Sequence, residues 1–168
     1  MSAYAIRAAT PADAEAICAL LAESELSTHA VLAEGTRYWL AQRADGRPIG
    51  TIGVEFGANG SMSSGGAVLV RSAAVQPDAR GHGVGAALLR HALSEATAAG
   101  CRCAYLFSTD AGAYWSRQGF REVPVPELLA ALPDAPQVRY YDQHGWLPDE
   151  VAWCIDLIWS GDSALGYC

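Results

Sequence analysis

The order of apolar segments predicts a mixed α/β layer fold for this chain. Strand-like runs are interleaved with segments of helical period, and one pair of runs is joined by an Asp-Gly turn, a hairpin signal. Length supports a single domain. The 168 residues, 51% of them hydrophobic, suffice for a sizeable core and exclude a disordered chain.

Tyr4 to Ala8 reads as a first strand. Thr10 can cap a helix that Pro11 opens, since a proline at the first helical position loses no hydrogen bond. Ile17, Leu20 and Leu21 then recur at helical spacing to about Ser24. Ser27 to Gly35 is read as a short second helix. Tyr38 to Arg43 and Ile49 to Phe56 are strands flanking Asp45-Gly46, and residues 57–66 are a loop by composition. Ala67 to Val75 is an apolar strand interrupted by Arg71 and Ser72. After a Gly-rich turn, Val84 to Ala99 forms a long helix, with Val84, Leu88, Leu89, Ala92, Leu93 and Ala96 as its buried stripe and Gly100 as its stop. Cys103 to Phe107 is a buried strand. Ser108-Thr109-Asp110 can cap a helix running to Gln118, and Arg121 to Val123 begins another strand. The Pro-rich stretch 124–149 is expected to hold a helical turn or two at Glu127 to Leu132. Glu150 to Trp159 alternates as a half-buried strand, with Val151, Trp153, Ile155 and Leu157 on one face. Residues 160–168 form a frayed tail around a core spanning about residues 3–159.

The chain is acidic, with 18 carboxylates against 11 bases and a formal charge of −7, and every base is arginine. That balance excludes a broad footprint for nucleic acid or an anionic membrane. It leaves room for a local cationic pocket, for which arginine is the better base. Cys18, Cys101, Cys103, Cys154 and Cys168 make no pairing framework, and Cys101 and Cys103 stand too close for a metal knuckle. Reduced thiols and no metal are therefore expected. The N-terminal stretch has no signal-peptide pattern, and no apolar run is long enough to span a membrane. The expected setting is cytoplasmic.

The sharpest motif is Arg80-Gly81-His82-Gly83-Val84-Gly85, set between a strand and an amphipathic helix. Glycines let the backbone approach a ligand, and the helix start adds its positive dipole end, so the turn suits a pyrophosphate. Gly81, Gly83 and Ala86 also satisfy the dinucleotide pattern. However, the motif follows a late strand, and the next one, Cys101 to Phe107, offers no acid.

The stretch Val75 to Gly85 resembles the acetyl-CoA signature of the Gcn5-related N-acetyltransferases, R/Q-x-x-G-x-G/A. Ala113-Tyr114-Trp115-Ser116-Arg117-Gln118-Gly119-Phe120 resembles the same family's second signature, an aromatic residue followed by x-x-x-G-F. The resemblance spans about residues 3–159. It implies one acetyltransferase domain over residues 1–168, with a mixed, mostly antiparallel central sheet of about six to seven strands and helices on both faces. It implies acetyl-CoA as the donor substrate, with Ala73, Ala74 and Val75 along the pantetheine arm and Arg80, Gly81, His82, Gly83, Val84 and Gly85 on the pyrophosphate. Ala111 and Trp115 would line the thioester end. The acceptor amine would attack the thioester directly.

Two departures bear on catalysis. Many members carry a general-acid tyrosine four residues before the G-F glycine, where this chain has Trp115. Tyr114 is one residue earlier and about 100° round the helix, so it is a candidate donor or a core aromatic. Some members use a glutamate on the fourth strand, where this chain has Leu69, leaving Glu55 as a candidate base or a solvated strand-end charge. Arg71 shares strand parity with Leu69, Ala73 and Val75, and a lone arginine there needs a partner. That partner is either the carboxylate of an acceptor or an acid of the same fold.

The flanking Leu-Val-Arg-Ser and Leu-Phe-Ser-Thr runs resemble a narrower branch, the arsenic-resistance N-acetyltransferases and their short N-acetylglutamate synthase relatives. The implied activity is acetyl transfer to a small, anionic, amino-acid-like amine. The alternatives are an idle acyl-CoA-binding or sensing module and a peptide or protein N-terminal acetyltransferase. Edge strands leave a homodimer open.

Overall fold

The computed structural model describes residues 3–56 and 66–157. Seven strands form one sheet in the order β1-β2-β3-β4-β5-β7-β6. They are β1 (Tyr4–Ala8), β2 (Thr36–Arg43), β3 (Pro48–Glu55), β4 (Ala67–Val75), β5 (Cys103–Phe107), β6 (Arg121–Val123) and β7 (Ala152–Asp156). All neighbours are antiparallel except β4 and β5. That one parallel pair needs a crossover, and helix α2 (Val84–Ala98) supplies it. The other helices are α1 (Ala14–Glu23), α3 (Gly112–Arg117), α4 (Val125–Ala131) and α5 (Pro136–Gln143). The mixed, mostly antiparallel α/β architecture matches the expectation.

Helices cover both faces of the sheet. On one face, Val84, Leu88, Leu89, Ala92 and Ala96 of α2 pack against Ile52, Val54, Val68, Val70 and Leu106, with Leu93 half-buried beside them. Leu88 and Leu89 each contribute about 2 kcal/mol by leaving water. On the opposite face, Ile17, Leu20 and Leu21 of α1 meet Tyr38, Leu40 and Ala74. Beside them, Leu128 of α4 and Val138 of α5 meet Leu69, Tyr105 and Cys154. Ahead of α1, Arg7 grips Asp13 through two bonds of 2.8 Å, and hydrogen bonding from that guanidinium holds the Asp13 carboxyl well below its usual range.

Strand β4 carries two irregularities. Thr51 pairs with Ala74 but Gly53 pairs with Arg71, so β4 carries an extra residue, and Ser72 takes a left-handed φ of 58°. The bulge inverts side-chain parity. Arg71 shares its face with Leu69 and then with Ala74, not with Ala73 and Val75, which corrects the strict alternation expected from sequence. Second, β4 pairs with β5 only from Ala67 to Leu69, opposite Cys103 to Tyr105. Beyond Leu69 the two strands part, while β5 continues to pair with β7 as far as Phe107.

Several local expectations are corrected. The stretch Ser27 to Gly35 is a series of turns, not a helix, because Ala30 and Leu32 have φ near 58° and 57°, incompatible with a right-handed helix. Helix α3 begins at Gly112 after Ala111, with no side-chain cap from Ser108, Thr109 or Asp110. The Pro-rich stretch holds two helices rather than a turn or two, its prolines occupying first-turn positions where they do no harm. Strand β7 is shorter than expected and buried on both faces, since α4 and α5 cover Ala152 and Cys154. Cys103 is disulfide-bonded, against the expectation of reduced thiols throughout; an odd count forbids full pairing but not one bridge. Cys18 and Cys154 are free thiols. The 57–66 loop, except Gly66, the last two residues of the expected 150–159 strand and the 160–168 tail lie outside the described residues.

Candidate active site

Strand β4 leads into a 3-10 turn (Pro77–Ala79) and then the Gly-rich turn. Gly81 and Gly83 both have φ of 80°, and a Cβ at either would touch nothing within 4 Å. Gly83 caps α2 without any side-chain hydrogen bond, so the first-turn amides of a 15-residue helix face outward unclaimed by a cap. Arg80 donates from Nε to the Val75 carbonyl at 2.9 Å and from Nη2 to Ser24 Oγ at 3.4 Å, tying the turn to β4 and to the end of α1. His82 is exposed beside it.

Where β4 and β5 part, a cleft of about 210 Å³ opens. Val70, Arg71, Ser72 and Ala73 form its β4 wall; Leu106, Phe107 and Ser108 form its β5 wall, and Asp110, Ala111 and Trp115 lie at the start of α3. Leu26 and Ser27, from the α1–β2 loop, and Gln137 and Tyr141, from α5, complete it. Trp153 Nε1 donates to the Ser108 carbonyl at 2.9 Å and fixes the β5–α3 loop. Of the strand residues assigned to the pantetheine arm, Ala73 faces the cleft. Ala74 is buried under α1, and Val75 leans towards Gly85, its carbonyl engaged by Arg80.

Trp115 is packed edge-on against Tyr114 and Phe120. The Tyr114 phenol lies against the first turn of α2, its oxygen 3.6 Å from where a Gly85 Cβ would be, and it is not among the cleft residues. Burial raises its pKa. Arg71 and Glu55 form a buried ion pair, Nη1 to Oε2 at 2.7 Å, with side chains 2% and 0% exposed. Glu55 Oε1 accepts the Gln137 backbone N–H at 2.8 Å. Burial raises the Glu55 pKa against the pull of Arg71. Glu55 is thus neither a solvated strand-end charge nor open to an acceptor, since both oxygens are taken. Arg71 also donates from Nε to Ser72 Oγ at 3.0 Å and from Nη2 to the Ser27 carbonyl at 3.4 Å. Its partner is an acid of the fold, Glu55, and it also lines the cleft. Arg37, by contrast, pairs with Glu95 on α2 and lies over Trp39.

Sequence reasoning missed Ser27, Asp110, Gln137 and Tyr141. Asp110 resembled a helix cap. Gln137 and Tyr141 stand four apart on one helix face, a signal visible only once 136–143 is recognised as helical. Among the described residues, Cys103, Cys154 and Asp156 converge as possible metal ligands, but the Cys103 sulfur is in a disulfide and Arg121 pairs with Asp156 at 3.4 Å. No helix among the described residues is long and apolar enough to cross a membrane.

A single parallel β4–α2–β5 unit inside an antiparallel sheet, splayed beyond its third pair and opening beside an uncapped glycine-rich helix start, defines an acyltransferase of the GNAT type. The family comparison agrees: residues 34–122 match the acetyltransferase (GNAT) domain, and the chain belongs to that family of N-acetyltransferases. A GNAT acetyltransferase from Staphylococcus aureus shares the fold at 18% identity and a TM-score of 0.69, covering 93% of this chain and 100% of its own. N-acetylglutamate synthase from Neisseria gonorrhoeae, solved with coenzyme A and N-acetylglutamate, matches 94% of this chain at 22% identity and a TM-score of 0.72; this chain spans 36% of that protein. The Escherichia coli GNAT N-acetyltransferase YhbS, in complex with CoA, is 25% identical over 72% of this chain and 70% of its own, with a TM-score of 0.61. No curated protein sequence matches this chain.

Proposed function

We propose that the protein transfers acetyl from acetyl-CoA to the amine of a small, anionic, amino-acid-like acceptor. The observation that carries this reading is the position of Arg71: a guanidinium in the wall of the cleft that β4 links directly to the amide-rich turn. The turn amides, with Arg80 beside them, suit a pyrophosphate. The arm then runs past Ala73 towards Ala111 and Trp115. Coenzyme A in the Neisseria and Escherichia relatives supports that assignment.

The amine attacks the acetyl carbonyl carbon, a C–N bond forms, the C–S bond breaks, and the nitrogen sheds a proton. Asp110 is the carboxylate among the described lining residues and is solvent-exposed, so it can take that proton through water. Trp115 has no O–H to give, and the departing thiolate draws its proton from solvent. Catalysis here is chiefly positioning.

A second reading, an idle acyl-CoA-binding module, is favoured by Trp115 and by the full engagement of Glu55. Thiol release from acetyl-CoA, measured with a panel of amino acids and simple amines, separates the two. Amine-dependent release, greatest for carboxylate-bearing amines, is expected. Acetyl-CoA bound without stimulation by any amine leaves the idle module.

A further inference from the structure

The cleft contains a hydrogen-bond donor that no acceptor takes up among the described residues. Tyr141 lines the cleft from α5, outside the stretch matched by the family model. Gln137 Nε2 donates to Tyr141 Oη at 3.1 Å, which occupies the phenol oxygen as an acceptor and leaves its hydrogen to be given away. The ring is fixed on several sides. Phe107 lies 5.3 Å from it between ring centroids and Trp146 lies at 5.6 Å, while the Trp146 N–H bonds the Tyr141 carbonyl at 2.9 Å. Helix α5 is itself held to the sheet by the Gln137 N–H on Glu55. Burial keeps the phenol protonated to higher pH than usual.

Facing the same cavity is Arg71, whose N–H groups exceed the bonds that Glu55, Ser72 and Ser27 take up. We propose that Tyr141 is a specificity-determining residue that donates its O–H to the carboxylate of the acceptor, the same group that Arg71 meets from β4. Gln137 acts through it, as the residue that orients the phenol. The inference rests on the acetyltransferase reading above and deepens it. It also places acceptor choice on α5, distinct from the α3 aromatics of the family signature.

The test compares an amino acid with the amine left by removing its carboxylate, for wild type and Tyr141→Phe, at saturating acetyl-CoA. The variant keeps the ring, so the fold survives, and an unchanged melting temperature checks this. Wild type is expected to prefer the carboxylate-bearing acceptor. Tyr141→Phe should lower kcat/KM for that acceptor about ten-fold, mainly through KM, as loss of a hydrogen bond to a charged group does. The decarboxylated amine and the KM for acetyl-CoA should stay within about two-fold of wild type. Gln137→Leu should move the same preference in the same direction, by less. Equal loss for both acceptors, or no loss, overturns the inference and leaves the acetyltransferase reading intact. A wild type that acetylates amines without preferring carboxylates overturns both the anionic-acceptor reading and the role of Tyr141. No transfer to any amine, with acetyl-CoA bound, overturns the acetyltransferase reading and the inference with it.

Discussion

The two ends of the cleft are built from different materials. At the turn, the proposed pyrophosphate site is one continuous stretch from Ala73 to Gly85, and most of what it offers is backbone: left-handed glycines and uncapped helix amides. At the end proposed for the acceptor, Ser27, Arg71, Asp110, Gln137 and Tyr141 come from widely separated elements, and what they offer is side chains. A backbone site needs a local conformation. A side-chain site needs the whole sheet, because the register of β3 with β4 decides whether Arg71 reaches Glu55. The first should therefore fail in ligand binding when altered, and the second in stability and acceptor choice together.

The largest expected effect is at the buried pair. Arg71→Ala leaves Glu55 as an unpaired buried carboxylate, at a cost of about 3–5 kcal/mol in denaturant unfolding. The loss depends on pH in a definite direction. Burial already raises the Glu55 pKa, and removing Arg71 takes away the strongest influence opposing that rise. A group raised on folding contributes fully below its unfolded pKa and loses that contribution as pH climbs through the folded value. The deficit should thus be small in acid, where Glu55 is protonated in both states, and full near neutrality. Adding Glu55→Gln to Arg71→Met should recover most of it. A deficit independent of pH would mean that the two charges are not coupled, and the contrast between the two ends would lose its main support.

Next in size is Gly83→Ala. A non-glycine residue at φ of 80° costs about 1–2 kcal/mol, and since the new Cβ meets nothing within 4 Å, that strain is the whole cost to the fold. Relief of the strain would shift the turn amides, so the KM for acetyl-CoA should rise about ten-fold while the KM for the acceptor holds. A rise in both constants would mean that the turn also shapes the acceptor end.

The same contrast explains what could be read from the sequence. Strands β1, β4, β5 and β6, helix α2 and the Gly-rich turn were legible, because alternation, helical period and glycine spacing are local signals. Arg71 stood out because a charge in an apolar strand demands a partner. Its partner was not legible. Glu55 lies 16 residues away on β3, and the bulge at Ser72 that sets the register has no distinctive sequence mark. Tyr141 and Gln137 were hidden for a different reason: proline density suggested a loop where prolines in fact open two helices.

The smallest effect is expected where the two acceptor-side segments touch each other. His29, in the α1–β2 loop, stacks on Tyr140 of α5 with centroids 3.9 Å apart and planes 13° from parallel. Elsewhere the loop is held by the packing of Val31 and Leu32 on the α1 cluster, the Leu26 N–H on the Leu21 carbonyl, the His29 N–H on Ser27 Oγ, the long Arg71 bond to Ser27 and a few turn bonds, set against left-handed φ at Glu25, Ala30 and Leu32. His29 is exposed, so His29→Ala should cost only about 0.5 kcal/mol, at the low end for a stacked pair. The consequence should nonetheless be one-sided. Amide exchange should quicken around His29, in residues 27–30, and stay unchanged in α2, whose stripe lies on the opposite face of the sheet. Acceptor KM should rise about two-fold with acetyl-CoA KM unmoved, because RT ln 2 is the order of energy at stake. Faster exchange in α2 would show that the loop steadies both ends of the cleft, and the division between a local backbone site and an assembled side-chain site would not hold.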